Sequence, residues 1–357
     1  MIHPATNGSG DSSMTSEHST LNGDLSACAL NNPPSWNLSN ISSLLEVLQC
    51  EDEDIIFDTL RTLQKVTSES LFFEPEIVDS LFLHHKDFID STFNKIGKSS
   101  PPPAVVTTLA LISLFLHLKI ALVSLQALYH LIQRDPPALT HLPSPIFPSP
   151  SPHQEYSGLS FLAALTEKLR IIFSEFQTNL PTDPSHLPKY FQLTKNDRFL
   201  VSCSLPFCGY SFLLPILLLR ATSPIEVDSE IIRDLILFVK EALPTILTNI
   251  SNIDNLIASL PSDSSPTTPL VCGVDTHITD SLDHLRDKCE DFVKDGLNFF
   301  INLTYKITDP HKSSFQAIIL DDPSFPDLIL NSLKLTNKDI RRLTIMTLVT
   351  SLFTIRG

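Results

Sequence analysis

The sequence predicts an all-α chain, and three observations lead to that prediction. Apolar residues recur at helical spacing over most of its length; Ile41, Leu44, Leu45 and Leu48, for example, follow i, i+3, i+4, i+7. Glycine is scarce, 9 residues where average usage would give about 25, while proline reaches 27, a balance that suits helices stopped at prolines. No alternating apolar–polar run is long enough to build a sheet around.

Residues 1–36 are polar and loop-forming, end in Asn-Asn-Pro-Pro-Ser-Trp, and are expected to be disordered. A first helical block covers 37–140. Its opening helix holds Ile41 to Leu48, and a second holds Ile55, Leu60 and Leu63. The apolar run 104–132 divides into one helix through Leu109, Ile112, Phe115 and Leu116 and another through Leu122, Leu125, Leu128 and Leu131. Pro101-Pro102-Pro103 and Asp135-Pro136-Pro137 punctuate this block, because proline ends a helix at or before the preceding residue. Residues 141–157, beginning HLPSPIFPSPSPH, read as a linker. A second block, 158–260, has helical patterning at 158–180, 199–219 and 229–260. A polar loop at 261–275 precedes the C-terminal block, 276–357, in which FQAIIL (315–320) has strand propensity when taken alone.

The opening helical unit recurs. SLLEVLQCEDEDIIFDTLRTLQKVT (43–67) superposes without a gap on LILNSLKLTNKDIRRLTIMTLVTSL (328–352), 285 residues downstream. Leu45 and Leu48 match Leu330 and Leu333, Asp54-Ile55 matches Asp339-Ile340, and Thr59, Leu60 and Leu63 match Thr344, Ile345 and Leu348. The shared form is Leu-x-x-Leu, a polar elbow, Asp-Ile, then a second helix. In this the chain resembles armadillo/HEAT-like α-solenoids, whose repeats of roughly 40–47 residues would fit six or seven times into the offset. The resemblance implies a right-handed superhelix of stacked helical hairpins with a concave partner-binding face. The glycine that armadillo repeats commonly place between their first two helices is missing, and the Trp-x-x-x-Asn ladder of nuclear-import receptors is absent; Trp36 lies in the tail.

The elbow Glu51-Asp52-Glu53-Asp54 is not a calcium loop. Counting from Asp52, the fifth and sixth positions are Ile56 and Phe57 where an oxygen ligand and a glycine are required. It reads as a hairpin corner, with Asp54 and Asp339 as helix N-caps. The second helix of the first unit is expected to turn Asp58, Arg61 and Lys65 to solvent and Ile55, Leu60 and Leu63 inward. The matching outward positions of the last unit are Leu343, Met346 and Thr350. Arg61, Lys65, Leu343 and Met346 are therefore the candidate partner-binding residues. The apolar pair, with Phe353, is expected to pack against a second copy, a partner or an earlier repeat.

No catalytic or cofactor motif stands beside these. Gly97-Lys98-Ser99 lacks the first glycine of a phosphate loop and is followed by three prolines that forbid its helix. Cys272, His277, His284 and Cys289 have zinc-type ligands at a spacing that no zinc module uses, so no metal is expected. His84 and His85 belong to an exposed face, and Cys203 and Cys208 to the core. Ser144, Ser149, Ser151, Ser265 and Thr268 each precede proline in the polar linkers, where proline-directed phosphorylation would alter charge.

A formal net charge of −15 argues against a nucleic-acid surface, which needs a basic stripe. The N-terminus has neither a basic start nor an apolar run, so no signal peptide is expected, and six cysteines suit a reducing compartment: cytoplasm, with nucleus as the alternative. The expected function is a non-catalytic scaffold that offers a concave helical surface to a protein or peptide, without cofactor. The alternative is a membrane-anchored helical protein spanning the bilayer at 199–219, where 21 positions carry no charge but two prolines and a glycine interrupt the run.

Overall fold

The computed structural model describes residues 103–143, 160–179, 195–220, 229–259, 274–306 and 312–353 nearly without gaps, with shorter stretches inside 43–62 and 83–90. The tail at 1–36, the Ser/Thr-Pro sites, Gly97-Lys98-Ser99, Asp54, Leu60, Arg61, Leu63, Lys65 and the side chain of Phe353 lie outside the described residues. Every regular element among the described residues is helical, and no strand occurs there. After helical turns within 43–48, 55–62 and 83–90 come α1 (Pro103–Phe115), α2 (Leu118–Arg134) and a 3-10 turn (Pro136–His141). They are followed by α3 (Phe161–Asn179), α4 (Lys195–Arg220), α5 (Ser229–Ser259), α6 (Val274–Ile301) and a π turn (Asn302–Lys306). The chain closes with α7 (Lys312–Leu320), α8 (Phe325–Lys334) and α9 (Lys338–Phe353). The strand propensity of 315–320 is overridden, since that segment is most of α7. The 3-10 turn carries order further than the expected start of the linker at 141: the His141 carbonyl accepts from Thr107 Oγ1 at 3.1 Å, and Pro143 is buried.

Consecutive helices pair as hairpins, α1 with α2, α3 with α4, α5 with α6 and α8 with α9. The hairpins pack on one another in chain order. Helices α2, α4, α6 and α9 form one close row, α1, α3, α5 and α8 a looser second row, and α7 lies against α5. Phenylalanines bind the rows in the middle. Phe292 of α6 stacks on Phe173 of α3 at 5.8 Å and meets Phe212 of α4 edge-on at 5.6 Å; Phe173 also meets Phe238 of α5 at 5.1 Å. Such pairs add to the area term of burial.

The uncharged segment 199–219 is the body of α4. None of its described side chains is exposed, and α2, α3 and α6 surround it. Its prolines do not stop it: Pro206 and Pro215 lie inside α4 and Pro244 inside α5. Each removes one backbone hydrogen bond, a loss that close packing on three sides offsets. Among the described residues no helix is long and apolar enough to cross a membrane.

The break in the apolar run 104–132 falls at Leu116 and His117 and uses neither glycine nor proline. His117 Nδ1 accepts from the Lys119 amide at 3.4 Å and caps α2. That bond needs an unprotonated ring nitrogen; burial first, then Lys168 and Lys119, lower the pKa of His117. The open carbonyls at the end of α1 are met from α3, where Lys168 Nζ donates to Ser113, Leu114 and Leu116 at 2.9, 2.7 and 3.3 Å. A cation there also suits the negative end of the helix dipole.

The two matching units begin their second helices alike, although not at the expected residues. Asp52 Oδ1 accepts from the Ile55 amide at 3.3 Å, and Asn337 Oδ1 accepts from those of Asp339 and Ile340 at 3.0 and 3.3 Å. Asp52 and Asn337, which correspond in the superposition, are thus the caps; Asp339 sits in the first turn of α9. The corresponding Thr59 and Thr344 each donate to the carbonyl four residues back, at 2.7 Å. Facing differs, however. Ile55, expected inward, is exposed and Ile56 is buried instead, whereas Ile340, the counterpart of Ile55, is buried. In α9 Met346 is exposed as expected, Leu343 and Thr350, also expected outward, are only half-buried, and Ile345, the match of Leu60, is exposed as well. Packing of α9 against α6 through small hydroxyl side chains rotates the helix from the orientation that its large apolar residues would favour.

Candidate binding face on the second helices

Helices α2, α4 and α6 bring together a polar and aromatic group whose members are far apart in sequence. Tyr129 and His130 come from α2 and Tyr210 from α4. Their rings meet edge-on, at 5.3 Å for Tyr129–Tyr210, 5.5 Å for Tyr129–His130 and 6.1 Å for His130–Tyr210. His130 is exposed and both tyrosines are half-buried. Tyr210 is hydrogen-bonded to the Gln126 side chain; burial first, then the Asp295 charge, raise its pKa.

Asp295 belongs to a ladder on α6: Asp283, Asp287, Asp291 and Asp295 follow one another at i, i+4. The first three are exposed and the last half-buried. Like charges at that spacing repel. Burial, with Asp291 as the second cause, pushes the Asp295 carboxyl up to about 7, and Lys294 acts in the opposite direction. The close approach of this carboxyl explains Gly209 in the middle of α4, because a Cβ there would meet the Asp295 carboxylate.

The folded chain holds the Asp295 proton between about pH 4 and 7 whereas the unfolded chain has released it, so this group lowers stability as pH rises through that window. Asp295→Asn is expected to gain about 1–3 kcal/mol at pH 8, after discounting for solvent, and nothing near pH 4. Urea titrations at the two pH values check this; an equal gain at both would point to packing instead.

Interleaved with the ladder on α6, a polar network fastens α9. Arg286 donates to Asp254 of α5 at 2.6 Å and pairs with Glu290 at 3.1 Å; Asn337, the cap of α9, donates to Glu290 through its Nδ2. Thr347 Oγ1 reaches the Leu297 carbonyl at 3.5 Å, and Thr304 donates to Thr350 at 3.0 Å.

The other chemically suggestive residues do not converge. Cys289 is buried in the core and burial pushes its thiol up to about 12, while His284 of the same helix is exposed. Cys272 and the side chain of His277 lie outside the described residues, among which no group of His, Cys, Asp and Glu is arranged to hold a metal. His84 is exposed as expected, but His85 is buried: its Nε2 is 2.6 Å from Ser124 Oγ, and burial lowers its pKa to about 4. Cys203 and Cys208 are buried, as expected. Met346 and Leu343 lie at the far end of the row from Tyr129 and take no part in this group. No protein-family model matches the chain, and no characterised protein or solved structure is significantly similar to it.

Proposed function

We propose that the chain is a non-catalytic scaffold of the armadillo/HEAT-like solenoid type, which binds an extended basic segment of a partner protein along its row of second helices. The observation that carries this reading is the juxtaposition, across α2, α4 and α6, of three edge-on rings with Asp295, the last member of the aspartate ladder. A lysine or arginine side chain laid there meets tyrosine faces, which attract cations, and carboxylates, which pair with them. Two rows of hairpins stacked in chain order support the solenoid part, and so do the matched caps Asp52 and Asn337. Such proteins present an extended surface because each unit touches only its neighbours. The burial of α4 by the chain's own helices weighs against the membrane-anchored alternative.

A random-peptide display selection on the full chain tests the reading. Enriched peptides are expected to carry lysine or arginine, and Tyr210→Ala or Asp287→Asn/Asp291→Asn is expected to weaken their binding about tenfold in fluorescence anisotropy. Enrichment of acidic or purely apolar peptides, or binding indifferent to both variants, would overturn it.

A further inference from the structure

We propose that this chain associates head to tail with a second copy of itself, the outer face of α8 and α9 receiving the acidic segment 43–58 of its neighbour. Helix α9 packs Ile340, Leu343 and Leu348 against the core yet leaves a second apolar stripe in water. Thr344, Thr347 and Ser351 are wholly buried against the fold, whereas Ile345, Met346, Val349 and Leu352 are 53, 40, 44 and 50% exposed. Leu330 of α8 adds another exposed apolar side chain, at 57%. The threonines satisfy their hydroxyls on their own helix, Thr344 on Ile340 at 2.7 Å and Thr347 on Leu343 at 2.9 Å, so burying them needs no outside partner. Four or five neighbouring apolar side chains left in water form the kind of patch that marks an interface.

Charge identifies the occupant. The apolar stripe is flanked by Lys334, Lys338, Arg341 and Arg342, all exposed, a basic cluster on a chain of net charge −15. Its complement lies on the same chain. Residues 43–58 contain six carboxylates and no basic residue, and there Val47 and Ile55 are 39 and 42% exposed beside the exposed Glu46, Asp52 and Asp58. Leu48 of this segment is tied to the first described hairpin, its carbonyl accepting from Thr108 of α1 at 3.3 Å, while α8 and α9 form the last described one. The four described hairpins separate these two surfaces within one molecule, so a second molecule must bring them together. Since the surfaces differ, the contact is heterologous: it does not close into a two-fold dimer and leaves an end free for the next copy.

Sedimentation velocity over a concentration series, with two end-specific variants of the full chain, tests this. Wild type is expected to grow beyond a dimer as concentration rises, and growth should weaken in high salt. Val349→Glu/Leu352→Glu blocks one end and Val47→Lys/Ile55→Lys the other. Each alone is expected to stay monomeric, with self-affinity lowered about tenfold or more, and an equimolar mixture of the two should form a dimer that stops there. Circular dichroism and melting temperature check folding; if the Val349/Leu352 variant misfolds, Arg341→Glu/Arg342→Glu replaces it as the block at that end. A wild type that stays monomeric, a dimer untouched by Val47→Lys/Ile55→Lys, or a mixture that stays monomeric would each overturn the proposal.

Discussion

Replacing Phe292 with alanine is expected to cost about 3–5 kcal/mol of folding stability. The ring is 1% exposed and stands where α3, α4 and α6 meet, stacked on Phe173 and edge-on to Phe212. Its removal forfeits the transfer energy of a large apolar side chain and leaves a cavity walled by other rings, which cannot collapse without breaking their own contacts. Urea unfolding monitored by circular dichroism measures the loss. Tyr305→Ala, at a residue 68% exposed, is the control and should change stability by less than about 0.5 kcal/mol. Comparable losses for both would mean that the phenylalanine cluster is not the centre of the fold.

Lys168→Met is expected to cost about 2–4 kcal/mol, because the Ser113, Leu114 and Leu116 carbonyls lose their donor while the chain's apolar volume is kept. The wild-type lysine should also impose a pH dependence that the methionine variant lacks. Burial pushes its pKa down to about 7. Opposing this, three carbonyl acceptors match the three N–H groups of an ammonium, and the Phe207 ring lies 5.4 Å from Nζ. Between about pH 7 and 10 the unfolded chain holds a proton that the folded chain has released, so this group raises stability as pH rises through that window and adds no further change below it. The difference between wild type and Lys168→Met, followed by thermal melts from pH 6 to 10, isolates the effect from cysteine and tyrosine titration. A difference that stays flat would mean that the carbonyl cradle keeps the ammonium charged throughout.

The helices were legible in the sequence because apolar spacing is a local signal, repeated every turn. Helices α3 and α5, in particular, lie within a few residues of the spans that periodicity predicts. The prolines that interrupt 199–219 in the sequence do not interrupt α4, since their local cost is outweighed by packing that no window of sequence displays. The corner between α1 and α2 was illegible for a similar reason: Lys168, which closes it, lies more than fifty residues from the carbonyls it meets. The candidate face divides the same way. The aspartates at 283, 287, 291 and 295 have a spacing that can be read directly, and they were overlooked because each resembles an ordinary solvated charge. The meeting of Tyr129, His130 and Tyr210 needs two helices some eighty residues apart to become neighbours, and nothing local announces it.

The stacking of hairpins in chain order has a mechanical consequence. In a globule with interleaved long-range contacts, opening any part undoes contacts everywhere, and the whole melts at once. Here most of the adhesion is between successive hairpins, so free energy accumulates link by link, as in a zipper. Among the described hairpins α8–α9 packs on the preceding helices only, and its backbone amides are expected to exchange with solvent by local fraying well before those of α4. The same independence is expected to let small rocking motions between adjacent hairpins add along the stack.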